Sequence, residues 1–282
     1  MPLSALAHTL VRLRVITSLS LVSVVGCAVV LGAPGAAGAS LIVGTFAQGR
    51  DEVGSVSDDH NCPHDATSCT VTAHASSPLG VASGDASASA SYGSVDGSVT
   101  ANAGRGPNFS TLGAATASAL FSDYFSFLNA AGTATHIEVG FSTNGASVSG
   151  AAQGGDFAEL DVQMTLQDDA VTRNRAFAEY NLDIEGGSFT SFGLPLDVLS
   201  IDVPDGHQAH LTLRIDLEAR VTDVDGASVF DPTSVYVLAS APYTTDSGTV
   251  YPTAFASAVP EPGSLLLLSS GLALVAWRLK DS

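Results

Sequence analysis

Lysine is almost missing from this chain. Lys280 is the only one, and it brings the basic residues to ten against 28 acidic ones. Between residues 40 and 258 six arginines face 26 Asp and Glu, a net charge of −20. Such a surface excludes nucleic acid as a partner and repels anionic lipid, while it favours solubility and divalent counter-ions. Tryptophan is as scarce. Trp277 stands near the end, so no indole remains in the body to stack on a sugar ring. Of three cysteines, only Cys62 and Cys69, in "HNCPHDATSC", lie outside the N-terminal apolar run. Zinc sites use tighter Cys or His doublets than this. The pair therefore reads as a disulfide formed in an oxidising compartment, in preference to a metal site with His60, His64 and His74.

Recognisable catalytic motifs are lacking too. There is no G-x-S-x-G elbow, no H-E-x-x-H and no phosphate loop. Carboxylate pairs of the kind used in glycoside hydrolysis abound in any acidic chain, and no spacing singles one out. The reading is that this is not an enzyme. His207 and His210 in "DGHQAH" read as polar turn residues. Asp223 and Asp225 before Gly226, and Asp202 and Asp205 in "SIDVPDG", have the look of short Asp-Gly loops that can hold calcium. Neither has the sixth-position glycine of an EF-hand, so both read as Asx turns. Calcium is the one cofactor these loops suggest, with Asp223 and Asp225 as its weak candidates.

What is present begins with "VRLRVITSLSLVSVVGCAVVLGAPGAAGAS": two arginines, an apolar stretch from Val15 to Leu31, then small residues. That order is a secretory signal peptide over residues 1–39. Ala37 and Ala39 occupy the −3 and −1 positions of the cleavage site, and Ser40 begins the mature chain. The secretory translocon and signal peptidase are the partners this segment implies.

The body, residues 40–257, is dominated by period-two alternation, the mark of half-buried antiparallel strands. In "LDVQMTLQD" Leu160, Val162, Met164 and Leu166 share one side; in "HLTLRIDLEARVTD" Leu211, Leu213, Ile215, Leu217, Ala219 and Val221 do. "AEYNLDIEGG", "THIEVGFSTNG" and "SVYVLAS" add further strands, with a tight turn expected at Asn144-Gly145. A phase change between Val198 and Leu199 suggests a bulge. "TASALFSDYFSFLN" fits a helical face through Leu120, Phe121, Tyr124, Phe125 and Leu128 as well as a strand through Phe121, Phe125 and Phe127; its Ser and aromatic content favours the strand. Residues 81–103 alternate Ala with Ser: the composition fits a disordered low-complexity tract, while the strict alternation favours flat strands of small side chains with a hairpin at Asp96-Gly97. The sum is an all-β fold, an antiparallel β-sandwich of jelly-roll type. Two functions suit it: an acidic extracellular scaffold, or a carbohydrate-binding module stacking sugars on Tyr92, Tyr236, Tyr243 and Tyr251.

The chain closes with "AVPEPGSLLLLSSGLALVAWRLKDS", residues 258–282. Pro260 and Pro262 hold the backbone extended around Glu261, accessible to an enzyme. A hydrophobic helix over 264–279 would follow, flanked by Arg278 and Lys280 on the cytoplasmic side. Its length, about 25 Å, falls short of a roughly 30 Å bilayer core, which suits a transient anchor. In Val259, Pro260, Glu261 and Pro262, the apolar run and the basic end, the sequence resembles the PEP-CTERM family of exported bacterial proteins. The resemblance implies recognition by exosortase, a membrane cysteine transpeptidase, and transient residence in the inner membrane. Release or transfer to the outer surface then follows, with a link to exopolysaccharide and biofilm matrix.

Overall fold

The computed structural model describes residues 38–62, 67–105, 110–143, 146–150, 156–185, 197–223 and 225–254. In chain order the strands are β1 (Ser40–Arg50), β2 (Ser55–Asn61), β3 (Ser68–Ser76), β4 (Ala82–Ser91) and β5 (Ser94–Ala103). β6 (Leu112–Phe127), β7 (Thr135–Thr143), β8 (Ser147–Ser149), β9 (Phe157–Asp168) and β10 (Arg175–Glu185) follow. β11 (Asp197–Val203), β12 (Gln208–Thr222), β13 (Asp225–Ala239) and β14 (Tyr243–Thr245) complete the set. Among the described residues there is no helix, so none is long and apolar enough to cross a membrane. The signal peptide, apart from its last two residues, and the helix expected over 264–279 lie outside the described residues.

Two antiparallel sheets face each other, ordered β10-β9-β12-β6-β1-β2 and β11-β7-β13-β5-β4-β3. Within them β5-β13-β7-β11 opposes β6-β12-β9-β10, the strand order of a jelly roll, and β1 to β4 extend both sheets on the same side. β14 takes over from β1 along β6, and β8 takes over from β7 along β13. The break between β7 and β8 falls opposite Asp231 and Pro232, where proline offers no amide to a neighbour.

The alternation read from sequence fixes the inner faces. Leu160, Val162, Met164 and Leu166 of β9 and Leu211, Leu213, Ile215, Leu217, Ala219 and Val221 of β12 are buried, as are Phe121 and Phe125 of β6. Opposite them lie Ile137, Val139 and Phe141 of β7 and Val229, Val235 and Val237 of β13. Towards β1 and β4 the layer thins to alanine: Ala86, Ala88 and Ala90 face Ala115, Ala117 and Ala119. The Ala/Ser tract is thus two ordered strands, alanine in and serine half-exposed. Its hairpin turns at Tyr92-Gly93, with Gly93 at φ +98°, instead of at Asp96-Gly97. Gly97 lies inside β5, where the Leu217 and Ile215 methyls fill the place of a side chain.

The expected bulge at Val198–Leu199 is absent. β11 pairs with β7 in unbroken register from Asp197 to Val203, with Leu199, Ile201 and Val203 inward and Val198 outward. Asn144-Gly145 lies outside the described residues. Cys62 and Cys69 form a disulfide with their Cα atoms 6.2 Å apart, tying the end of β2 to the start of β3 across the sandwich. Closing so short a loop contributes about 2–3 kcal/mol on a chain-entropy basis. With both thiols consumed, a cysteine metal site is ruled out there; His60 and His74 pair instead with Asp58 and Asp85.

Candidate functional site

Two surfaces gather the charge. The first is the outer face of β10, β9 and β12. Cross-strand pairing places Asp183, Glu159 and Glu218 in one row, and Asn181, Asp161 and Asp216 in the next. Like charges directly opposite on neighbouring strands are unfavourable. Burial pushes the Asp161 and Glu218 carboxyls up, and neighbouring carboxylates, Glu159 for both, add to it. Arg214, bonded to Asp216, and Arg220, near Glu218, offset this only in part. The domain is therefore expected to gain thermal stability as sodium chloride rises from low to moderate concentration. Calcium at matched ionic strength should do the same, since screening is non-specific. A thermal melt that responds to calcium alone would show a specific site instead.

The second surface is the pole where β6 ends. Here the loops 128–134, 169–174, 204–207 and 240–252 meet. The Gly132 amide donates to Asp205 at 2.7 Å, the Asn174 side chain donates to the Asp202 carbonyl at 2.7 Å, and the Leu128 amide donates to the Pro242 carbonyl. Asp168, Asp169 and His207 converge there closely enough to hold a metal ion. Asp168 is fully buried and has protein partners: the Ala170 amide, the Asn174 side chain and His207 Nδ1 at 3.0 Å. These hydrogen bonds hold its carboxyl below the usual range against the opposing pull of burial. The arrangement serves as a turn lock.

At the same pole a buried latch closes the C-terminal strap. Asp123 points inward between Phe121 and Phe125 and is 0 % exposed. It accepts the Ser247 amide and hydroxyl at 3.1 and 2.5 Å and the Tyr251 hydroxyl at 2.9 Å. The Tyr251 ring packs against Phe121 and Phe125, and the Pro252 carbonyl accepts the Val237 amide. An open groove of about 780 Å³ lies along the strap, lined by Pro242, Tyr243, Val250 and Tyr251 among others.

The structure separates several residues that the sequence placed together. His207 pairs with Asp168, while His210 stacks on Tyr124 at 4.2 Å and shares a hydrogen bond with Ser122. Burial pulls the His210 pKa down. Asp202 pairs with His136 at 2.8 Å, an interaction that raises the histidine, and Asp205 caps a backbone amide. Asp223 sits in a left-handed turn at φ +66°, and the backbone of Asp225 opens β13 opposite Ala103. Tyr251 and Tyr236 are buried, while Tyr92 and Tyr243 are half-buried against the core. Ser40 is the first residue of β1. Ala37, His64, Val259, Pro260, Glu261, Pro262, Arg278 and Lys280 lie outside the described residues.

Asp123, Asp168 and Asp231 escape a sequence reading that seeks motifs. Their signal is an acid on the inward parity of a strand, as Asp123 is between two phenylalanines.

Comparison with known families adds the tail. The model of the PEP-CTERM protein-sorting motif matches residues 258–280. A comparison with curated proteins returned no match. The chain thus carries the signal of an exported protein that is held transiently in the membrane for sorting by exosortase.

Proposed function

We propose that this chain is a non-enzymatic protein of the cell surface or extracellular matrix, an acidic β scaffold associated with exopolysaccharide and biofilm. The sorting motif at 258–280 carries the reading, because it dedicates the C-terminus to delivery. The fold agrees with it. The thin alanine layer leaves little interior for a substrate, and the buried carboxylates Asp123 and Asp168 are engaged in holding loops. What the sandwich offers its surroundings is an extended charged surface, with carboxylate rows kept on β9, β10 and β12 despite their mutual repulsion.

The test is fractionation of cells producing the full chain. The wild type is expected in the extracellular and matrix fractions. Glu261→Ala, or deletion of Pro260 to Pro262, should leave most of it in the inner membrane. Equal release of altered and wild-type protein would overturn the exosortase step. Wild-type protein released but absent from precipitated exopolysaccharide would overturn the matrix role.

A further inference from the structure

Three consecutive residues of β6 hold the two ends of the body. Ser40, where the mature chain begins, pairs with Ser122; Ser247 binds Asp123; and the Asp246 amide donates to the Tyr124 carbonyl. At 3.4 Å per residue these attachments lie within about 7 Å along the strand. Beyond the latch the last backbone bond among the described residues is at Pro252. Only six residues, 253–258, separate it from Val259, a reach of about 20 Å even when fully extended. The opposite pole, with the β1–β2 turn and Leu79 locked on Asp51, is far away. β6 alone spans sixteen residues, about 50 Å from end to end.

We infer that the Asp123 latch makes the strap pole the membrane-facing end of the protein, with the bilayer surface as the partner it is held against before sorting. This rests on the tail acting as a membrane anchor. Without the latch, residues 243–252 would lengthen the tether and let the sandwich tumble. With it, both membrane signals leave from one end and the opposite pole projects outward. The facing pole carries exposed Asp169, Asp205 and Asp246 and the Asp202 carboxylate. Anionic lipid repels these, and the tail anchor opposes that repulsion. Once the tail is cut, the same charge favours departure from the membrane.

The test uses the chain after signal-peptide removal, residues 40–282, reconstituted in vesicles of phosphatidylethanolamine and phosphatidylglycerol that carry a head-group quencher. One preparation bears a dye at Val250→Cys, which is 90 % exposed at the strap pole; the other bears it at Leu79→Cys, 53 % exposed at the far pole. The expected result is several-fold stronger quenching at 250 than at 79. Insertion of about twenty Gly and Ser residues between Thr253 and Ala254 should bring the two levels together, and Asp123→Asn should move them the same way. If circular dichroism shows Asp123→Asn unfolded, the insertion decides, since it lies outside the sandwich. Equal quenching in the chain without the insertion, or a difference that survives the insertion, would overturn the orientation. Failure of the chain to float with vesicles would instead overturn the anchor reading.

Discussion

At pH 8 the Asp231→Asn domain unfolds at a clearly higher urea concentration than the wild type, whereas at pH 4 the two are nearly level. Asp231 is 0 % exposed and sits on the inward face of β13. Its cross-strand partner Gly97 is covered by Leu217 and Ile215, so the carboxyl lies in an apolar layer. One oxygen accepts the Thr233 hydroxyl at 2.8 Å; the other is buried without a partner among the described residues. Burial, with Asp96 nearby, pushes its pKa up to about 7. A raised carboxyl titrates in the unfolded chain near pH 4 and in the folded one near pH 7. Its protonated form is favoured by folding, so stability is greatest below pH 4 and falls as pH rises to 7. Three pH units correspond to about 4 kcal/mol, an upper bound for what Asn restores at pH 8. Asp161 and Glu218, raised in the same direction, leave a shallower slope in the variant. Urea melts at pH 4, 6 and 8 measure it, and an undiminished slope in Asp231→Asn would show that Asp231 is ionised in the fold.

Much of this molecule is legible because period-two alternation needs no tertiary context. Strands β7, β9, β12 and β13 were readable from one face of apolar residues, whereas β6 also fitted a helical face and the Ala/Ser composition also fitted a disordered tract. Turns were less so. "VDG" reads as a hairpin signal, yet Gly97 serves to admit the Leu217 methyls from the opposite sheet, a requirement only packing reveals. Val198 mimics a phase shift because an exposed apolar residue precedes the alternating Leu199, Ile201 and Val203. The sorting tail was legible for a different reason: it is read as an extended peptide by an enzyme, so its chemistry is contained in adjacent residues. Polar sites drawn from distant loops, such as Asp168 with His207 or Asp123 with Ser247 and Tyr251, have no local pattern. A run of Asp, His and Ser in an acidic chain cannot say which of them the fold will bury.

The same packing logic sets the second large effect. Replacing glycine by alanine in a strand ordinarily stabilises, by about 0.5–1 kcal/mol, because the unfolded chain loses freedom. Gly84→Ala should do the reverse. Its Cβ would come 2.0 Å from the Ala114 carbonyl oxygen and 3.0 Å from the Gln48 amide nitrogen, both backbone atoms of the facing sheet. Gly113 has the reciprocal constraint, 2.3 Å from the Asn102 carbonyl and 2.6 Å from that of Ser83. Side chains can rotate away from an added methyl; paired strands cannot. The two sheets would have to separate over the alanine layer, opening gaps among Ala86, Ala88, Ala115 and Ala117 that nothing fills. A loss of about 3 kcal/mol or more follows, at the upper end for overpacking. Gly54→Ala supplies the control, because its Cβ would meet only Pro78 at 3.8 Å. Denaturant melts of the two variants beside the wild type decide the matter. If Gly84→Ala proves as stable as Gly54→Ala, the sheets are not in backbone contact, and the thin layer has room that this structure denies it.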